Sequence, residues 1–177
     1  MKYNSPMRMK LQYTRSASAT IYIKELEGYD NDLFARQITA RGDKQKRQTN
    51  VKADMTEWRV TEPEWYNLCK DIIQNHIVFL SGELDVTWRV VSAWGVNYKK
   101  SDYTLFHAHM PSIFSFCYYP KASVNSAPLV FSDLDYEVYP EESQLVLFPS
   151  YLKHGVPSQR EDEERMVISG NIIAQYD

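Results

Sequence analysis

The chain has 177 residues, 44% hydrophobic and 24% charged, which excludes collagen-like, low-complexity and disordered classes and suits a single domain over 1–177 with one buried core. A net charge of −3 and an isoelectric point near 5.8 give no global pull toward nucleic acid or anionic membranes. No apolar run approaches the ~18 residues of a membrane span and no hydrophobic leader core opens the sequence, so a cytoplasmic protein is expected.

Residues 20–23 predict a short strand and 30–41 a helix that Asp30 or Asn31 caps and Gly42 ends. The charged run Arg41-Gly42-Asp43-Lys44-Gln45-Lys46-Arg47 reads as a solvated loop. Its Arg-Gly-Asp triplet carries no integrin-type reading in a protein with no extracellular signal. The clearest helix covers 62–80: Thr61 and Glu64 have capping-box spacing, Pro63 suits the first turn, and Trp65, Leu68, Cys69, Ile72, Ile73, His76, Ile77 and Leu80 recur at helical period. One face should pack on a sheet, with His76 as a satisfied core or boundary histidine. Residues 1–82 thus form an expected helical support region. Cys69 and Cys117 fall in a helix and a strand without metal-type spacing, so reduced thiols are expected.

Beyond Gly82 the apolar runs shorten, β-branched and aromatic residues dominate, and turn residues punctuate them. Predicted strands are 86–96, 103–109, 113–119, 129–131, 136–139, 145–148 and 166–174. Helices followed by many short strands predict an α+β fold, a double-stranded β-helix (jelly roll, cupin-like) over 83–177, with the N-terminal helices packed on one sheet. The 13 tyrosines suit half-buried strand positions with a polar tip.

Three of the four histidines, His107, His109 and His154, lie in the β half. On one strand His107 and His109 face the same way and can share an ion, and a returning segment could add His154, making a facial metal site with open positions. The bland alternative is that His107 and His109 merely line a strand face. Period-two alternation also puts Arg165, Val167, Ser169 and Asn171 on one face of the last strand. An inward arginine there needs an anion, and a carboxylate fits its fork.

From Trp94 to Asn171 the order of short motifs resembles the prolyl 4-hydroxylase-like branch of the Fe(II)/2-oxoglutarate oxygenases, nearest to oxygenases predicted in tailed-phage genomes. The motifs are Phe106-His107-Ala108-His109, Ser115-Phe116-Cys117-Tyr118-Tyr119, Leu129-Val130-Phe131, Pro140, Leu145-Val146-Leu147-Phe148-Pro149, His154-Gly155-Val156-Pro157 and Arg165-Met166-Val167-Ile168-Ser169. The resemblance implies Fe(II) held by His107, His109 and His154. It also implies 2-oxoglutarate anchored by Arg165, with Tyr119, Tyr98, Ser169 and Ser115 nearby. The implied reaction couples decarboxylation of 2-oxoglutarate by molecular oxygen to hydroxylation of a prime substrate that the sequence does not identify. Residues 24–60 and the loops at 99–102 and 121–126 are expected to shape that substrate's pocket. A homodimer is compatible with the sequence. Two departures stand out. His109 occupies the position where the family has Asp, which removes the carboxylate of its metal triad; Asp133, Asp135 and Glu137 form an acidic cluster that could replace it or simply face water. Ala127-Pro128 and Ser143 replace turn glycines. Two rival readings stay open: a three-histidine cupin-type dioxygenase without 2-oxoglutarate, and a non-catalytic jelly-roll binding module.

Overall fold

The computed structural model describes residues 18–42, 49–78, 86–160 and 164–175. Residues 43–47 of the charged run and Leu80 at the end of the predicted helix lie outside them. Eleven strands are present among the described residues: β1 (Tyr22–Glu25), β2 (Val51–Lys52), β3 (Asp54–Met55), β4 (Thr87–Tyr98), β5 (Tyr103–His107), β6 (Phe114–Ala122), β7 (Leu129–Phe131), β8 (Tyr136–Val138), β9 (Gln144–Pro149), β10 (His154–Val156) and β11 (Arg165–Gln175). They form an antiparallel six-stranded sheet, β1-β9-β6-β11-β4-β3, and an antiparallel five-stranded sheet, β2-β5-β10-β7-β8. The expected jelly-roll fold is therefore present.

Alternation gives the six-stranded sheet two apolar faces. Trp94, Val96, Cys117, Tyr119, Val146, Phe148 and Val167 share one buried cluster with Leu129, Phe131 and Val156 of the five-stranded sheet. Their neighbours Ala93, Phe116, Tyr118, Leu145, Leu147 and Ile168 belong to a second cluster with helical Phe34, Ile38, Trp65, Leu68 and Ile72. β6 and β9 thus read as nearly continuous apolar runs, because both their faces are covered. The helices come very close at Gly95: a Cβ there would lie 2.5 Å from Ile38 Cγ1 and 2.9 Å from the Trp65 ring.

Helix α1 (Asn31–Arg41) starts as expected, with Asp30 Oδ1 accepting the Leu33 N–H at 2.8 Å. Helix α2 (Pro63–Asp71) differs from expectation in two ways. Glu62 occupies the N-cap with no side-chain cap, so the Thr61/Glu64 capping box does not form. Tertiary partners take both carboxylates instead: Glu62 pairs with Arg41, and Glu64 accepts Gln37 Nε2 at 3.2 Å. From Ile72 to Ile77 the helix widens into a π-helical turn, in which the Val78 N–H reaches the Ile73 carbonyl. His76 is 8% exposed and bonds through Nδ1 to the Tyr22 hydroxyl at 3.1 Å, as a satisfied boundary histidine should.

Strand β1 sits two residues beyond its predicted place, and the 103–109 strand stops at His107. The support region also supplies strands: β1 extends the six-stranded sheet, and β2 and β3 add to one sheet each. Both cysteines are free, and burial pushes the Cys69 thiol up to about 12. No helix among the described residues is long and apolar enough to cross a membrane.

Candidate active site

His107 ends β5 and His154 opens β10, and antiparallel pairing sets the two directly opposite each other. His109 lies past the end of β5, where its backbone N–H donates to the Ser150 carbonyl at 2.9 Å. Pairing and this loop bond, rather than strand alternation alone, bring the three rings together. Their centroids are 4.6, 4.7 and 5.1 Å apart, and one ligand nitrogen from each lies within 4.8 Å of the others.

In two of the three the tautomer is set by the backbone. His107 Nδ1 lies 2.7 Å from the Leu105 carbonyl and His154 Nδ1 2.9 Å from that of Leu152. Because a carbonyl only accepts, Nδ1 carries the proton and each Nε2 presents a lone pair. Burial lowers all three histidines and keeps them neutral: His154 falls to about 4, and His109, also repelled by its two neighbours, to about 3. Three neutral imidazoles with free nitrogens suit a divalent transition metal.

No carboxylate of the described residues joins this cluster. Asp133, Asp135 and Glu137 are exposed, on or beside the β7–β8 turn, and Asp133 Oδ2 accepts the Lys153 N–H at 3.0 Å. They face water, so the acid missing at position 109 has no replacement there.

The cavity lined by the histidines continues between the sheets to Tyr98, Thr104, Cys117, Tyr119, Arg165 and Ser169. It is slim, about 40 Å³, so an occupant must be thin and extended and must displace lining side chains slightly. Arg165 is 1% exposed. Its Nε donates to the Ala127 carbonyl at 2.9 Å, and its guanidinium carbon stands 4.3 Å from the Tyr98 ring centroid and 5.5 Å from that of Tyr119. Nη1 has no hydrogen-bond partner among the described residues, and no acid pairs with the charge. The buried Tyr119 hydroxyl is likewise unpartnered, apart from the weakly polar Cys117 thiol beside it. Two orphaned donors in one dry cavity fit a carboxylate.

The other expected residues divide. Tyr98 lies beneath the guanidinium, its hydroxyl already bonded to Thr104 Oγ1 at 2.6 Å. Ser169 lines the cavity, 3.6 Å from Cys117 Sγ. Ser115 does not line it: its hydroxyl bonds Ser150 Oγ at 2.7 Å and Asn171 Oδ1 at 2.9 Å. Sequence reasoning missed Trp94, whose ring lies 5.8 Å from His109 and 4.8 Å from half-exposed Trp58. The signal was its period-two alignment with Val96 and Tyr98.

Comparison with known proteins follows the same lines. The family model described as "Putative 2OG-Fe(II) oxygenase" matches residues 132–171, a stretch that includes His154 and Arg165. A prolyl-4-hydroxylase from Pseudomonas putida is 16% identical with a TM-score of 0.66, over 90% of this chain and 95% of that one. A collagen prolyl hydroxylase of Paramecium bursaria Chlorella virus-1, in complex with 2-oxoglutarate, is 15% identical with a TM-score of 0.60, over 88% and 97%. HygX from Streptomyces hygroscopicus, with nickel and 2-oxoglutarate bound, is 9% identical with a TM-score of 0.64, over 87% and 82%. At such identities the likeness establishes the fold, the jelly roll of 2-oxoglutarate oxygenases. A search of curated proteins by sequence gives no match.

Proposed function

We propose that this chain is an Fe(II)- and 2-oxoglutarate-dependent dioxygenase that hydroxylates a prime substrate. One observation carries the reading: a buried guanidinium with no counter-charge among the described residues lies in the same cavity as three neutral imidazoles whose nitrogens converge.

His107, His109 and His154 would hold the metal, and Arg165 with the Tyr119 hydroxyl would take the far carboxylate of the co-substrate. Bound together, iron and 2-oxoglutarate supply the oxidising power for C–H hydroxylation with molecular oxygen. The protein's own residues bind and orient. Tyr98 supports the guanidinium plane while the Ala127 carbonyl fixes its rotation. Leu129, Val156 and Val167 keep the cavity wall apolar, which excludes water and strengthens the charge pairing at Arg165. Three imidazoles would hold the ion from one side and leave it open to a chelating keto acid and to oxygen. The motif order in the sequence supports a likeness to tailed-phage oxygenases, and two free cysteines suit the reducing cytoplasm.

The histidine set without a carboxylate also favours a second reading, the three-histidine dioxygenase whose substrate binds the metal directly; Arg165 then has no anion to hold. Anaerobic reconstitution with Fe(II) and 2-oxoglutarate followed by exposure to air separates the two. Succinate should form, above an Arg165→Ala control. Metal binding without affinity for 2-oxoglutarate would instead establish the second reading.

A further inference from the structure

The oxygenase reading leaves one buried polar side chain beside the anion end unexplained. Gln159, between β10 and β11, is 1% exposed. Its backbone is held at both ends, with N donating to the Asp102 carbonyl at 2.8 Å and its own carbonyl accepting the Ser101 N–H at 2.7 Å. Its side-chain Oε1 accepts the N–H of Ala127 at 2.8 Å. Across the same residue, the Ala127 carbonyl accepts Arg165 Nε at 2.9 Å.

We propose that Gln159 is a positioning residue for Arg165, acting through Ala127. A guanidinium on a flexible stem needs two constraints before its free edge points one way. Packing on the Tyr98 ring fixes the tilt of its plane, and the bond from Nε to a carbonyl fixes its rotation within that plane. The second constraint is only as firm as Ala127. This residue precedes β7, whose first residue is Leu129, so its N–H has no ladder partner and Gln159 supplies one. The arrangement carries a cost, since Gln159 Nε2 is buried without a partner among the described residues. An apolar residue of equal length would avoid that cost. What the amide contributes is Oε1, and Oε1 leads to Arg165. The inference rests on the co-substrate reading, because it assigns Gln159 to the affinity of that ligand.

Gln159→Met keeps the length and apolar bulk and removes the acceptor. In Ni(II)-loaded protein, calorimetry should show 2-oxoglutarate binding weakened by about tenfold, the lower end of what partners that orient a binding group typically contribute. Ni(II) affinity should stay at the parent value, the thermal midpoint should fall only by the few degrees that one unpartnered Ala127 N–H costs, and in metal-free protein the Arg165 Nε–H resonance, assigned through Arg165→Lys, should shift. Gln159→Asn, too short to reach Ala127, serves with the same expectations if the Met variant fails to fold. Unchanged 2-oxoglutarate affinity in a protein whose parent binds it would overturn the proposal. So would a parallel loss of Ni(II) affinity and thermal midpoint, which would make Gln159 a general structural tie. If the parent does not bind 2-oxoglutarate, the co-substrate reading fails by itself. The Arg165 resonance then decides alone: a shift on substitution upholds the hold of Gln159 on Arg165, and an unmoved resonance overturns it.

Discussion

At the His107–His109–His154 end of the cavity, two strand residues and one loop residue meet with their charges already suppressed by burial. At the Arg165 end, one central strand delivers a full positive charge that no acid among the described residues pairs with. The metal end is an assembly, correct only when β5, β10 and the turn after β5 are all in place. The anion end is built into the most extensively paired strand, flanked by β4 and β6. A neutral cluster tolerates the absence of its ion, whereas a buried lone charge is unfavourable until its partner arrives. The two ends should therefore respond differently to substitution.

The largest effect is expected at the assembled end. Replacing His107, His109 or His154 singly with Ala should abolish stoichiometric metal in each case, measured by metal analysis after anaerobic loading, while His76→Ala retains it. Metal kept by His109→Ala would show that a fourth group completes the site. His109→Asp should bind Fe(II) at least as well as the parent, since it adds the anionic ligand that three imidazoles lack.

Next comes the lone charge. Arg165→Ala should weaken 2-oxoglutarate binding by about 2–5 kcal/mol, the range for truncating one member of a buried charge pair. Metal affinity should remain, and that separation of the two ligands breaks the comparison if it fails. Tyr119→Phe should act in the same direction by about 1.5–3 kcal/mol, one hydrogen bond to a charged group, read by the same titration.

A last effect concerns acid. His109 and His154 protonate in the folded state only near about 3 and 4, against about 6.5 in an unfolded chain. Between those values the unfolded state binds more protons, so stability of the metal-free protein should fall as pH drops below about 6.5 and level off only below about 3. Urea midpoints at pH 7 and 5 test this, and His154→Ala should flatten the difference.

Much of this was legible in the sequence where periodicity had room to speak. β11 is long enough for alternation to place Arg165, Val167, Ser169 and Asn171 on one face, and the apolar runs of β6 and β9 declared their strands. β2 and β3 have two residues each, too few to show any period, and are defined by their pairing to β5 and β4. The Thr61/Glu64 capping box failed because the helix begins one residue later, with Glu62 at the N-cap, and Glu64 accepts from Gln37, distant in sequence. His109 was placed with the right partners for an incomplete reason, since a loop bond to Ser150 takes over where the strand ends. Ser115 shows the opposite error: motif order suggested the co-substrate, and the side chain turned to Ser150 and Asn171.

The position of β11 between two partners also bears on time. Amides in a strand paired along both edges exchange with solvent only through large openings, while those of short strands exchange through local ones. Arg165 opens this doubly paired strand, whereas His107 and His154 sit on β5 and β10, which pair through only a few residues. Metal binding should therefore slow amide exchange around the histidines and leave the centre of β11 nearly unchanged. On the proposed reading, the anion seat would stand before any ligand arrives, and the metal seat would be completed by its ion.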